Sequence, residues 1–385
     1  MKAVELFAGA GGLGMGISQA GFHPAEIIEW DRWCCDTINR NRENGVAPVA
    51  AWPKPIHGDV KQHSFESWHG QVDLVSGGPP CQPFSVGGKH MAFEDSRDLW
   101  PHAVRAIREI RPKAFIFENV KGLTRSTFAT YLSYIDLQLH HPAVTRRDSE
   151  CWRDHLIRLQ QHHLSGGKIE PEYKVIFQVL NAADYGVAQK RERVVFVGFR
   201  SDLNVRWAFP KASYSLDRLL WDIYRTGDYW ERHKVARKDR FIDLRLARRA
   251  LKLREPPAGE SWRTVRDVIC DLPDPAYPHT STLNHKLQQG ARSYSGHTGS
   301  PLDLPAKTLK AGVHGVPGGE NMLLNPDGTV RYFTVRESAR LQAFPDSYAL
   351  EGSWSEAMRQ LGNAVPVELA RVVAAGVASE LRKVP

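Results

Sequence analysis

Short apolar runs alternate with longer mixed stretches through the first 200 residues of the chain. The runs 3–7, 26–30, 74–76, 114–118, 174–180 and 194–199 are rich in β-branched or aromatic residues. They are bounded by Gly, Pro, Asp or Asn, as strands commonly are. Helical patterns fit between them, at 14–20, 32–42 and 99–110. Strand–helix alternation of this kind predicts an α/β domain built on a mostly parallel, doubly wound sheet.

From about residue 201 to 319 the alternation stops, and Trp, Tyr, Arg, Pro and Gly dominate. This predicts a second, smaller domain. Beyond it, 334–343 and 365–381 read as helices, the last with Pro366 near its first turn, where proline is well tolerated. The expected division is therefore 1–200, 201–333 and a closing segment 334–385. No internal repeat or low-complexity tract is visible.

Length and composition agree with this picture. The 385 residues are 42% hydrophobic and 24% charged, a globular balance that suits about two domains. No apolar run approaches the roughly 18 residues of a membrane span, and the N-terminus has no long apolar leader. Neither a membrane partner nor export is expected, and the location read from this is cytoplasmic. Five cysteines with no CxxC pair indicate neither a disulfide framework nor a zinc ribbon. The segment 124–172, longer than a simple connection, carries His140, His141, Cys151, His155, His162 and His163. A zinc site is conceivable there, but the spacing matches no standard zinc pattern, so the sequence assigns no metal and the favoured reading is a surface helical insertion.

The net charge of +8 is concentrated: residues 232–254 hold ten Lys/Arg and two Asp. Phe241, Leu244, Ala247 and Leu251 recur at helical spacing there, predicting an amphipathic helix whose basic outer face suits phosphates or is merely solvated. Trp221, Tyr224, Tyr229 and Trp230, just upstream, read as a small aromatic core.

Four motifs carry candidate chemistry. Phe7-Ala8-Gly9-Ala10-Gly11-Gly12-Leu13-Gly14 follows a strand, opens a helix and matches GxGxxG, with Glu29 twenty residues after Gly9. On these residues alone it is a nucleoside-cofactor loop, dinucleotide included, or simply a tight turn. Ser76-Gly77-Gly78-Pro79-Pro80-Cys81-Gln82-Pro83-Phe84-Ser85 follows another strand. Its prolines fix the backbone before a candidate thiolate nucleophile; a buried core cysteine is the bland alternative. Glu118, at a strand end among apolar residues, is a candidate proton donor or merely a cap. Gln189-Lys190-Arg191-Glu192-Arg193 precedes a strand, and its alternating arginines can aim guanidinium groups at a carbonyl oxygen or phosphate, or form a solvated edge.

Taken together and in order, these segments resemble the DNA (cytosine-5)-methyltransferases of bacterial restriction–modification systems. The resemblance also rests on Glu29-Trp30, Gly58-Asp59-Val60, Leu99, Pro305-Ala306-Lys307-Thr308 and Gly362-Asn363-Ala364-Val365-Pro366. It implies an S-adenosylmethionine-dependent methyltransferase sheet with a DNA-recognition domain and a positively charged cleft between them. It implies that Cys81 is the nucleophile, with Glu118, Arg191 and Arg193 completing the catalytic set. Phe7, Gly9, Gly11, Gly12, Glu29, Trp30, Asp59, Val60, Pro80, Leu99, Asn363 and Ala364 are then expected at the cofactor, S-adenosyl-L-methionine. Ser85, Arg232, Arg248, Arg249 and Thr308 are expected at DNA, and Gly87-Gly88-Lys89 as a hinge over a flipped base. The expected partners are double-stranded DNA and a separately acting restriction endonuclease, with the chain itself a monomer.

The chain departs from the family pattern at Glu5, where Asp is common, and at Leu304, where Arg is common. It lacks the Cys-Phe-Thr signature of the tRNA-methylating branch. The other functions weighed are a nicotinamide-dependent oxidoreductase, a catalytically silent DNA-binding homologue and an RNA cytosine-5 methyltransferase. The first leaves Pro79-Pro80-Cys81 and the basic middle segment without a role.

Overall fold

The computed structural model describes residues 1–80, 98–277, 281–295, 297–311 and 321–384. Cys81, Ser85 and Gly87-Gly88-Lys89 lie outside the described residues. The chain divides into two compact units. The first comprises Met1–Leu180, Glu192–Pro210 and Ala370–Pro385; the second comprises Asn181–Arg191 and Lys211–Leu369.

The first unit is built on seven strands: β1 (Lys2–Leu6), β2 (His23–Glu29), β3 (Ile56–His57), β4 (Leu74–Gly77), β5 (Ala114–Val120), β6 (Tyr173–Asn181) and β7 (Glu192–Arg200). Their order is β3-β2-β1-β4-β5-β7-β6. Strands β1 to β5 pair in parallel, and β7 runs antiparallel to β5. Six of the seven follow the apolar runs of the sequence. The exception, β3, has only two residues, too few to leave a pattern.

Helices α1 (Gly12–Gln19), α2 (Arg32–Glu43) and α3 (Trp100–Ile110) connect the parallel strands. Ala103, Val104, Ala106, Ile107 and Ile110 form the buried stripe of α3. Its Trp100 lies edge-on to Phe117 and Phe196, with ring centroids 5.9 and 5.3 Å away. Such contacts supply large apolar area with a fixed geometry.

The 124–172 segment is more than a surface insertion. It forms α4 (Ala129–His140) and α5 (Trp152–Ser165), and Tyr131, Ile135, Leu139, Leu156 and Leu159 join the main core. The i, i+4 spacing of 131, 135 and 139 stacks them on one helix face. His155 is buried and bonded to the Tyr134 hydroxyl and the Val144 carbonyl.

In the second unit, β8 (Tyr214–Ser215) pairs with β9 (Glu260–Ser261). Its core gathers Leu219, Ile223, Tyr229, Trp230 and Trp262, with Tyr224 packed against it, so the aromatic residues are structural as the sequence indicated. The predicted helix over 232–254 is broken. Helix α6 (Leu216–Trp221) and α7 (Asp228–Arg232) precede a stretch that holds a short 3-10 turn at Arg237–Asp239 and one α-helix, α8 (Leu244–Ala250). Asp243 starts α8 by accepting from the Arg245 and Leu246 N–H groups. Leu244 and Leu251, expected to face a core, are exposed. Seven residues cannot carry the predicted stripe, and an N-cap at 243 resets the helical phase.

The second unit also extends past 333. Helices α9 (Val265–Ile269), α10 (Val335–Leu341) and α11 (Trp354–Asn363) belong to it. The Arg336 guanidinium donates to the carbonyls of Leu283, Pro345 and Tyr348, and Arg340 donates to Val268 O and pairs with Asp271 and Asp346. These bonds tie 334–350 to 268–285. Segment Trp354–Leu381 is long and apolar enough to cross a bilayer, contrary to the reading of the sequence, but 67% of its most apolar window is buried in the fold. It comprises α11 and α12 (Val367–Leu381).

Candidate active site at the carboxyl ends of the strands

The strand order turns between β1 and β4, and ligands of doubly wound sheets bind beyond the carboxyl ends at such a point. Three segments expected to act there follow β1, β2 and β4. After β1, Phe7, Gly9 and Gly11 all have positive φ, at 55°, 54° and 78°. Glycine adopts this freely; Phe7 does not, and strain of this kind is found where a site requires it. A Cβ on Gly9 would meet nothing within 4 Å, so the loop borders open space. Helix α1 then starts at Gly12 with no side chain capping it.

Glu29 ends β2. Its Oε2 accepts from Gly9 N–H at 2.7 Å and its Oε1 from Asp31 N–H at 2.7 Å. Burial raises its pKa, against the lowering effect of these two N–H groups. Each oxygen retains a lone pair for a hydroxyl donor. Trp30, next in sequence, is 73% exposed, an unusual position for the largest apolar side chain. The neighbouring segment is pinned to both: Gly58 N–H donates to Glu29 O at 3.0 Å, and His57 Nε2 lies 2.9 Å from Trp30 O. This sets Asp59 and buried Val60 beside the end of β2. The role of His57 is not visible in the sequence, although it stands one residue before Gly58-Asp59.

Glu5 lies beneath this loop. Burial pushes its carboxyl up to about 8, the Glu29 charge adds to the shift, and the Gly14 backbone N–H offsets part of it. A Cβ on Gly14 would come within 2.0 Å of Glu5 Oε2, so the third glycine of the motif exists for this carboxyl.

The loop after β4 is anchored at its base. The Asn119 side-chain amide donates to Pro79 O at 3.0 Å, and a Cβ on Gly78 would lie 3.3 Å from Glu118 Oε2. Exposed Pro80 is the last described residue before Cys81. On the far side, Leu99 caps α3 and is half-buried.

Glu118 is opposite Val195 in the β5–β7 ladder, and Arg193 is two residues along on the same face. This register brings Arg193 Nε to 2.6 Å from Glu118 Oε1, both side chains 9% exposed. Arg191 precedes strand β7. Strand β7 begins at Glu192, so the alternation that would align 191 with 193 does not reach it. Arg191 is fully buried and donates to the carbonyls of Leu309, Gly362 and Ala364 at 3.1, 2.7 and 2.8 Å. It is a structural clamp within the second unit. Asn363 and Ala364 form the C-terminal end of α11 beside that clamp.

The residues expected at DNA are largely engaged with protein. Arg249 pairs with Asp217 at 2.6 Å and Arg232 with Asp267 at 3.1 Å. The Thr308 hydroxyl donates to Lys190 O at 2.8 Å, and Ala306 bridges Gln189, so 305–308 braces the Gln189-Lys190 segment. Arg248 is exposed.

Comparison with known proteins shows the family. The family model for the C-5 cytosine-specific DNA methylase matches residues 1–141 and 167–379. The chain is 33% identical over 388 residues to the Type II methyltransferase M.PspPI of Psychrobacter sp., covering 99% of this chain and 80% of that protein. It is 32% identical to M.Eco47II of Escherichia coli, covering 99% and 79%. The solved structure of S. pombe Dnmt2 methyltransferase matches with a TM-score of 0.58 at 16% identity, covering 100% of this chain and 99% of that one, a likeness of fold. The chain therefore belongs to the C-5 cytosine-specific DNA methylase family, whose methyl donor is S-adenosyl-L-methionine.

Proposed function

We propose that this chain methylates C5 of a flipped cytosine in a specific double-stranded DNA sequence, through a covalent bond between Cys81 and C6. The observation that supports this best is the buried Glu118–Arg193 pair, held beside Gly78 and Pro79 at the base of the Cys81 loop. Cytosine C5 is a poor nucleophile. Addition of the Cys81 thiolate at C6 moves electron density to C5, while a protonated Glu118 donates a hydrogen bond to ring N3 and Arg193 holds O2, stabilising the charge that develops on the ring. When bound, S-adenosyl-L-methionine supplies an electrophilic methyl group on a sulfonium. A base then removes the C5 proton, and the C6–sulfur bond breaks to release Cys81.

The residues present fit that cofactor. The open space at Gly9 and the uncapped start of α1 suit its methionine end, with Phe7, Gly11 and Gly12 shaping the loop. Glu29 accepts from the ribose hydroxyls, and exposed Trp30 provides a flat apolar face for adenine. Asp59 accepts from the adenine edge, with Val60, Pro80 and Leu99 as apolar neighbours. Asn363 and Ala364 are assigned by the family resemblance, as are Ser85 and Thr308 at DNA; Arg248 is assigned by the charge concentrated in 232–254. We read the protein as a cytoplasmic, nucleoid-associated monomer that protects DNA from a separately acting restriction endonuclease.

The test uses a duplex carrying 5-fluorocytosine at the methylated site, because fluorine blocks the final elimination. With S-adenosyl-L-methionine, the chain is expected to form a denaturation-resistant adduct that Cys81→Ala does not form. An adduct persisting in Cys81→Ala refutes the nucleophile. Methyl transfer to RNA with none to duplex DNA refutes the substrate.

A further inference from the structure

Among the described residues, three potential ligand atoms from separate elements converge at the edge of the first unit. His141 follows α4, His162 lies on α5 and Glu172 directly precedes edge strand β6. Their facing atoms, one from each residue, lie within 4.8 Å of one another. His141 Nδ1 is 3.4 Å from Glu172 Oε1, and His162 Nε2 is 3.7 Å from the same oxygen. These three atoms are buried and have no hydrogen-bond partner. Buried polar atoms are almost always satisfied, so three orphans facing one point are a strong signal. We propose that His141, His162 and Glu172 bind a zinc-class divalent transition-metal ion that ties the α4–α5 insertion to the edge of the sheet.

The donor chemistry supports this. Two imidazole nitrogens and a carboxylate oxygen suit zinc, whose metal–ligand lengths of about 2.0–2.2 Å place tetrahedral ligands roughly 3.3–3.6 Å apart. The His141–Glu172 separation of 3.4 Å already matches; His162 Nε2, 3.7 Å from the same oxygen and within 4.8 Å of His141 Nδ1, has to move inward to join them. A water fills the fourth position, which the partial exposure of His162 and Glu172 leaves open. His141 Nε2 lies 2.9 Å from His163 Nδ1, the supporting contact that typically orients a metal-bound imidazole. Burial, then the neighbouring His162 and His163, hold His141 down to about 4, so its ring is neutral at pH 7. Gly167 provides the space: a Cβ there would come within 2.8 Å of His162 Nδ1. His162 falls in the 142–166 stretch outside the family match, while His141 and Glu172 lie within it.

The test is direct metal binding by the full-length, tag-free protein. The chain is stripped with chelator, given zinc, dialysed, and its metal content measured by elemental analysis. About one zinc per chain should remain, with a rise in thermal midpoint, and cobalt should give the visible absorption of a low-coordinate nitrogen–oxygen site. His162→Gln and Glu172→Gln should each weaken binding by more than roughly 100-fold, beyond the effect of losing a supporting residue. Less than a tenth of an equivalent retained by the parent chain overturns the proposal, whether or not the variants fold. So does full retention in the His162→Gln/Glu172→Gln double variant.

Discussion

Replacing Glu5 by glutamine removes a titrating proton while keeping the size and hydrogen-bonding shape of the side chain. The Glu5 carboxyl moves from 4.5 to about 8 on burial in the folded chain. Between those values the folded chain keeps a proton that the unfolded chain releases, so stability falls as pH rises across that window and levels off above it. At about 1.4 kcal/mol per pH unit, the full penalty is on the order of 4–5 kcal/mol. Glutamine carries no such penalty. Urea unfolding of both proteins at about pH 5 and about pH 8.5 should therefore show the variant gaining on the parent by several kcal/mol between the two conditions. Taking the difference between the proteins cancels the titrating groups that do not interact with Glu5, and leaves only Glu29, whose charge is coupled to it. A stability difference that stays constant within about 0.5 kcal/mol between the two conditions would refute the reasoning, because it would mean that Glu5 is ionised in the folded state or titrates normally.

The two arginines of the Gln189–Arg193 segment should separate cleanly. Arg191→Ala leaves three buried carbonyls without their donor and should lower unfolding stability by about 3 kcal/mol or more, whereas Arg193→Ala should cut single-turnover methyl transfer in the folded fraction by roughly 100-fold or more; equal turnover loss per folded molecule would contradict the division. Neutralising Arg248 and Arg249 together should flatten the slope of log K against log salt by less than the roughly 1.8 expected for two phosphate contacts. The reason is that Arg249 is already paired with Asp217; a loss of the full 1.8 in filter-binding titrations would show that the pair opens onto DNA.

The parallel sheet was legible because its strands are buried on both faces, and Val4, Leu6, Val75, Phe115 and Phe117 leave continuous apolar runs. The loops carrying Gly9, Glu29, Pro80 and Glu118 were legible for a related reason, since each ends such a run. The broken segment at 232–254 was not. Its apolar residues keep helical spacing, yet Leu244 and Leu251 face solvent, and period alone does not reveal whether anything packs against a stripe. Arg191 was misread because strand periodicity was extended one residue beyond the start of β7. The His141–His162–Glu172 cluster escaped because its members come together only when α4, α5 and β6 are folded, and no fixed spacing announces such a site.

The Arg191 clamp has a consequence for how this protein can be re-engineered. One guanidinium joins residue 191 to carbonyls 118, 171 and 173 positions further along. The polypeptide between those points is therefore a closed circuit whose ends are held by each other. Material inserted, deleted or exchanged inside the circuit leaves the spacing of its ends unchanged, and lengthening such a loop costs only logarithmically in entropy. Chimeras that graft foreign sequence within 237–254 while retaining 181–191, 268–285, 305–311, 334–350 and 360–369 thus inherit a pre-aligned socket. Grafts with a junction between 362 and 364 cut across the latch itself.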